Sequence, residues 1–281
     1  MIVIKDPFLF KDCLAVKRIS RSPVGFVPTM GALHQGHIAL IQQAREESGL
    51  VVCSIFVNPT QFNDPKDFQK YPVTIEEDIY RLETAGTDIL FMPSVEALYP
   101  NGIKDLERYE LGYLETILEG FYRPGHYQGV CQVMSRLLKA VVPDLLFMGQ
   151  KDYQQCMVVN RLINLLQMDT KLVTCPTVRE SDGLAMSSRN TRLDKEQRKN
   201  AVAIYKALSF IKENIKTRKI TALIEEATHL LKKYNFKPDY VAIADAGTLE
   251  LIKEWDGEKK LVALIAAFQQ DVRLIDNLII N

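Results

Sequence analysis

Residues 29 to 37 read Thr-Met-Gly-Ala-Leu-His-Gln-Gly-His and follow the apolar run Val24 to Val27. Two histidines three apart therefore flank a glycine where a strand turns into a helix. Such a turn can hold phosphate. Gly31 and Gly36 let the backbone approach a ligand, the first free N–H groups of the helix carry the positive end of its dipole, and His34 and His37 add side-chain donors. The chemistry indicated is nucleotide binding. Taken alone, the four residues from His34 to His37 fit an ordinary strand-to-helix turn with two surface histidines equally well.

Two more segments have donors suited to phosphate. Gly149-Gln150-Lys151-Asp152 follows the apolar run Leu145 to Met148 and precedes a helical pattern from Tyr153 to Leu166. Met186-Ser187-Ser188-Arg189-Asn190 is a loop after Ser181-Asp182-Gly183, a predicted turn. Two hydroxyls beside a guanidinium suit phosphate oxygens. Singly, the first segment reads as a solvated helix start and the second as a plain loop. Together with the histidines they predict one site.

The elements that must position these groups alternate along the chain. Val24 to Val27, Leu50 to Val57, Asp88 to Met92, Leu145 to Met148 and Lys171 to Cys175 lack a polar alternate face, as strands covered on both sides do. Between them the pattern predicts helices over Ile38 to Ser48, Ile75 to Ala85, Gly129 to Val141 and Tyr153 to Leu166. Thr74 and Glu77 are read as a capping box that opens the second of these. Strand and helix in turn predict an α/β fold, a Rossmann-like doubly wound parallel sheet. Ligands of such sheets lie beyond the carboxyl ends of the strands, where Thr29 to His37, Asn58 to Phe62 and Gly149 to Asp152 fall. After Pro176 the pattern changes to helices over Asp194 to about Lys216 and Thr221 to Tyr234. Strands over Tyr240 to Ala244, Leu261 to Ala266 and Leu274 to Ile280 follow. The expected organisation is a nucleotide-binding domain, residues 1–176, and a smaller α+β domain, residues 177–281, bringing the Met186 to Asn190 loop over the nucleotide.

The chain's 281 residues suit that division. With 35 basic and 35 acidic side chains there is no net field to recruit nucleic acid or an anionic membrane. Cys13, Cys53, Cys131, Cys156 and Cys175 are scattered and mostly within apolar runs, which reads as reduced core thiols. A catalytic cysteine is the alternative, although no histidine pairs with one in sequence. No stretch approaches the roughly 20 apolar residues of a membrane span, and the N-terminus lacks the order of a signal peptide. A cytoplasmic protein is expected.

Five segments in order resemble the pantothenate synthetase family: Pro28 to His37, Phe56 to Phe62, Arg123-Pro124-Gly125-His126, Lys151 to Gln155 and Met186 to Asn190. The likeness runs from about residue 20 to the C-terminus. It implies ATP-dependent condensation of (R)-pantoate with β-alanine through a pantoyl-adenylate, with AMP and pyrophosphate released, Mg²⁺ accompanying ATP, and a homodimer. It also implies ATP binding by Met30, Gly31, Ala32, Leu33, His34, Gln35, Gly36 and His37, by Gly149, Gln150, Lys151 and Asp152, and by Val178, Met186, Ser187, Ser188 and Arg189. His37, His34 and Lys151 are the implied catalytic residues, and the His37 position is treated in the family as the proton donor. Gln61 and Gln155 are the implied pantoate ligands, with Gln61 also placing β-alanine. Gln150 stands where the family often has an acidic residue, which alters local charge and leaves the donors intact.

Other residues stay open. Asp78 and Asp152 are candidate Mg²⁺ ligands, neither assigned. Met30, Phe56 and Val133 fit either a wall for the gem-dimethyl group of pantoate or simple core. His126 fits a site residue or, by preference, a structural loop histidine, and His229 a surface position. Tyr71 and Asp67 could order the loop after Gln61. Two rival functions share the pattern: a nucleotidyltransferase that stops at an adenylated product, and a nucleotide- or RNA-binding module without catalysis. The zero net charge disfavours RNA, and the complete donor set disfavours lost catalysis.

Overall fold

The computed structural model describes residues 1–18, 22–63 and 65–281. The chain forms two compact units: Met1–Gln150 with Gln154–Pro176, and Lys151–Tyr153 with Thr177–Asn281.

The first unit runs β1 (Ile2–Ile4), α1 (Pro7–Lys17), β2 (Val24–Thr29), α2 (Gln35–Glu47), β3 (Leu50–Ile55), α3 (Pro65–Gln69), α4 (Ile75–Thr84), β4 (Ile89–Phe91), α5 (Val95–Leu98), α6 (Leu118–Tyr122), α7 (His126–Val141), β5 (Leu145–Gly149), α8 (Tyr153–Leu165) and β6 (Lys171–Cys175). Every residue of β3, and all of β2 except Pro28, is buried, because helices cover both faces. The six strands lie in the order β1-β4-β3-β2-β5-β6, each pair parallel. From β2 the chain winds through β3 to β4 on one side, then crosses to β5 and β6 on the other. The order reverses between β2 and β5, so Thr29 and Gly149 end the two strands that flank the switch point, where ligands of such sheets bind.

The five predicted strands are all present, and the predicted helices shift chiefly at their starts. β1 and α1 lie outside the predicted set. Asp6 caps α1 by accepting from Phe8 N and Leu9 N, with Pro7 at the first helical position, and Phe10 stacks on Phe91 of β4 at 4.2 Å. The capping box read at Thr74 and Glu77 does not form. Thr74 makes no side-chain cap bond; its Oγ1 donates to Asp78 Oδ1 at 3.1 Å, and Glu77 pairs with Arg81. Asp78 is the stronger acceptor within reach of the hydroxyl.

The second unit contains α9 (Lys195–Ala201), α10 (Ala203–Asn214), α11 (Ile220–Lys233) and an antiparallel sheet of β7 (Phe236–Asp245), β8 (Leu261–Gln269) and β9 (Val272–Ile279), ordered β7-β8-β9. The single helix expected from Asp194 is two, divided at Val202. Leu208, Ile211, Leu223, Leu231 and Ile265 meet in its core without exposed surface. Among the described residues no helix is long and apolar enough to cross a membrane.

Candidate active site

The turn after β2 is built by its own side chains. His34 is the N-cap of α2, its Nδ1 accepting from Gly36 N at 3.1 Å, while His37 Nδ1 accepts from His34 N at 3.2 Å. This is a capping box made of two imidazoles, whose rings lie 4.1 Å apart. Each Nδ1 uses its lone pair on a backbone N–H, so each neutral ring carries its proton on Nε2. The local donors are therefore distributed differently from the expectation of free amides at the helix start. The N–H groups of His34 and Gly36 are spent on the cap, and each neutral ring keeps its own N–H on Nε2, on the side of the imidazole away from the cap.

Upstream, Gly31 and Ala32 take left-handed backbone conformations, with φ of 80° and 49°. Only glycine adopts this freely, so Ala32 needs support from its surroundings. Asp78, 1% exposed, supplies it: Oδ2 accepts from Ala32 N and Oδ1 from Leu33 N, both at 2.8 Å. A side chain on Gly31 would come within 3.1 Å of that same carboxylate. Asp78 is thus the fastener of the turn, with three of its roughly four acceptor positions taken by the two amides and Thr74. Asp78→Ala should destabilise the protein by about 3 kcal/mol, since it removes the acceptor of the buried Leu33 N–H and of the partly buried Ala32 N–H. A thermal or urea melt checks the figure, and activity should fall as the turn relaxes.

Gln61 ends a 3₁₀ turn, Pro59–Gln61, capped by Asn58. Its Nε2 lies 2.8 Å from Met30 Sδ, which brings two predicted site residues together, and its Oε1 accepts from Asn58 Nδ2 at 3.2 Å. Asn58 is 1% exposed and also accepts from Tyr99 Oη at 2.9 Å. Phe62 packs edge-on against Phe68 and Tyr71, ring contacts within the segment beyond Gln61. Phe56 and Val133 are buried. Gln155 is half-buried on α8, whereas its neighbour Gln154 is buried and committed to Glu119 N, Leu114 O and Ile117 O. At Gly149 a side chain would meet nothing within 4 Å, so the strand exit is open there. His229 is exposed on α11, as read.

In the second unit the segment from Val178 to Met186 doubles back. Met186 N donates to Val178 O at 3.0 Å, Arg179 bridges Ala185, and Gly183 turns the chain with φ of 95°. Val178 therefore lies beside the Met186 to Arg189 loop. Ser187 then caps a 3₁₀ turn, Ser188–Arg192, accepting from Arg189 N at 3.3 Å. Arg179 anchors the hairpin through Asp276 at 2.6 and 3.0 Å. Burial holds the Asp276 carboxyl above the usual carboxylate range, only partly offset by the Arg179 guanidinium and the Asn277 N–H. Lys151 occupies the 3₁₀ turn Gln150–Asp152; its carbonyl accepts from Asn277 Nδ2 at 2.8 Å, and Tyr153 Oη donates to Ala246 O at 2.6 Å.

All five cysteines are free, four of them buried. Burial pushes the Cys53 thiol far up, that of Cys131 to about 12 and that of Cys175 to about 11, which leaves them protonated and unreactive at neutral pH.

A doubly wound parallel sheet with a histidine-fastened turn at its switch point defines an α/β enzyme of the nucleotide-binding kind. The Pantoate-beta-alanine ligase family model matches residues 3–279, and the chain belongs to that family. Its reaction is the ATP-dependent ligation of pantoate to β-alanine. A pantothenate synthetase of Cytophaga hutchinsonii is 47% identical over 272 residues, covering 95% of each chain. The crystal structure of pantothenate synthetase from Thermus thermophilus matches with a TM-score of 0.91 at 40% identity, over 99% of both chains. Pantoate-beta-alanine ligase from Francisella tularensis, solved in complex with β-γ ATP and β-alanine, matches with a TM-score of 0.83 at 36% identity, over 99% of this chain and 97% of that one.

Proposed function

We propose that the ligation proceeds through a pantoyl-adenylate and that the named side chains divide the work as follows. The pantoate carboxylate attacks the α-phosphorus of ATP; an O–P bond forms and the bond to the α,β-bridging oxygen breaks, releasing pyrophosphate. Negative charge shifts to the leaving oxygens, where His34, His37, Lys151, Ser187, Ser188 and Arg189 supply donors. The uncharged amine of β-alanine then attacks the acyl carbon, AMP departs, and the nitrogen gives its proton to solvent. Gln61 and Gln155 hold pantoate, and Gln61 also places the incoming amine.

The observation that carries this reading is the double imidazole cap, which fixes an N–H donor on the Nε2 of His34 and of His37 at the switch point of the sheet. Open space at Gly149 supports a ligand passing close to the backbone there. Mg²⁺ would travel on the β- and γ-phosphates, as a hard ion that keeps much of its water does. No cluster of three or more His, Cys, Asp or Glu suited to a metal exists among the described residues. Asp152 is half-buried and fits as a single supporting carboxylate better than Asp78, whose oxygens hold the turn. A homodimer and a cytoplasmic location belong to the same reading. Phe8, Leu9 and Val16 expose 79%, 63% and 67% of their surface on α1, apolar area of the kind a second copy covers.

The reading is tested by exchange of labelled pyrophosphate into ATP without β-alanine. Exchange that requires pantoate is expected, and its absence would refute the adenylate. Gln61→Ala should raise KM for pantoate more than it lowers kcat, because it removes binding shared by ground and transition states.

A further inference from the structure

His126 has no part in the chemistry above, yet it is 5% exposed and both its ring nitrogens are engaged. Nε2 lies 3.1 Å from Arg123 Nη1 and Nδ1 lies 2.8 Å from the carbonyl oxygen of Gln61. A guanidinium only donates, so Nε2 is the acceptor, the ring is neutral, and Nδ1–H donates to the Gln61 carbonyl. Arg123 is in turn paired with Glu119 at 3.6 Å. The same turn of α7 grips the Gln61 segment at two more points. Asn58 Nδ2 donates to Gly129 O at 3.0 Å as well as to Gln61 Oε1. A side chain on Gly129 would come within 2.2 Å of Thr60 O and 2.7 Å of Gln61 Cα, so glycine there lets the two backbones meet.

We infer that His126 is a positioning residue for pantoate, acting through the Gln61 carbonyl, and that the first turn of α7 is the platform on which the pantoate-binding amide is aimed. His126 sets the Gln61 backbone from one side while Asn58 sets its amide oxygen from the other. The inference rests on the pantoate role proposed for Gln61. A histidine that only filled the interior would affect melting temperature and spare substrate affinity.

The test is steady-state KM for pantoate and for ATP, with a thermal melt, on His126→Ala, His126→Asn, Gln61→Ala and the His126→Ala/Gln61→Ala pair. His126→Ala should raise KM for pantoate about tenfold, the usual effect of losing a hydrogen bond to a committed acceptor, and leave KM for ATP within about twofold. His126→Asn, whose amide N–H can replace Nδ1–H, should recover most of the affinity. The pair should be no worse than Gln61→Ala, because both changes act on one contact. An unchanged pantoate KM in His126→Ala, with Gln61→Ala impaired, would overturn the inference and leave the Gln61 role standing; so would additive losses in the pair. No effect of Gln61→Ala would remove the Gln61 role and the inference with it. Should His126→Ala fail to fold, Gly129→Ala carries the test: displacement of the Thr60–Gln61 backbone should raise pantoate KM, and an unchanged value overturns the platform.

Discussion

His37→Ala is expected to lower kcat by about 10² to 10³, the usual cost of removing one preorganised donor to transition-state charge. The His34 amide donates to His37 Nδ1, which fixes the proton of the neutral ring on Nε2, the nitrogen to which the proposal gives the donor role. The substitution also removes half of the capping box, which should cost about 1 kcal/mol of stability. His37→Gln separates the two effects. Glutamine is a natural partner at the third position of a capping box, so this variant should regain the stability and still lack the imidazole donor. A kcat that follows the melting temperature back to the wild-type value would remove His37 from catalysis and leave it a cap.

Lys151→Ala should lower kcat by a similar factor, about 10² to 10³, with little change in melting temperature. The main chain at this position is fixed independently of the ammonium: Asn277 Nδ2 holds the Lys151 carbonyl and Tyr153 Oη holds Ala246 O. Truncation at Cβ therefore keeps the backbone contacts of the turn and removes the ammonium, whose field also reaches the buried Asp276 carboxylate. Rates measured at saturating ATP and pantoate, beside a melt, check this. A loss below about threefold would contradict the role, and a large fall in melting temperature would assign the effect to folding.

Much of the framework was legible because parallel strands buried on both faces write themselves as uninterrupted apolar runs, as Leu50 to Ile55 and Leu145 to Met148 do. β1 was not, since three residues at a sheet edge carry too little periodicity to register. α1 did leave a signal, Asp6 followed by Pro7, which marks a helix start. The candidate site divides in the same way. Its donors were readable from residue type, but the use of each nitrogen was not. That His34 and His37 cap one another depends on a rotamer choice, and the spacing alone also admits free amides with outward imidazoles. Asp78 and Asn58 are further apart from what they hold than any motif spans: Asp78 reaches back 46 residues to Ala32 and Asn58 forward 71 to Gly129. Asp78 could be read from sequence only as a carboxylate near a phosphate site, which suggested a metal, whereas burial and two amide partners make it a fastener. From sequence His126 fits a loop histidine or a site residue, and the structure puts it at the start of α7 against Gln61.

The most direct test of the adenylate route is pyrophosphate and AMP release from purified protein with Mg-ATP and pantoate, in the presence and absence of β-alanine. Without the amine the account predicts pyrophosphate near one equivalent per site and no steady AMP; with it, continuous AMP and a condensed product of matching mass. Steady pyrophosphate release indifferent to β-alanine, or none until β-alanine is added, would contradict an adenylate formed before the amine enters.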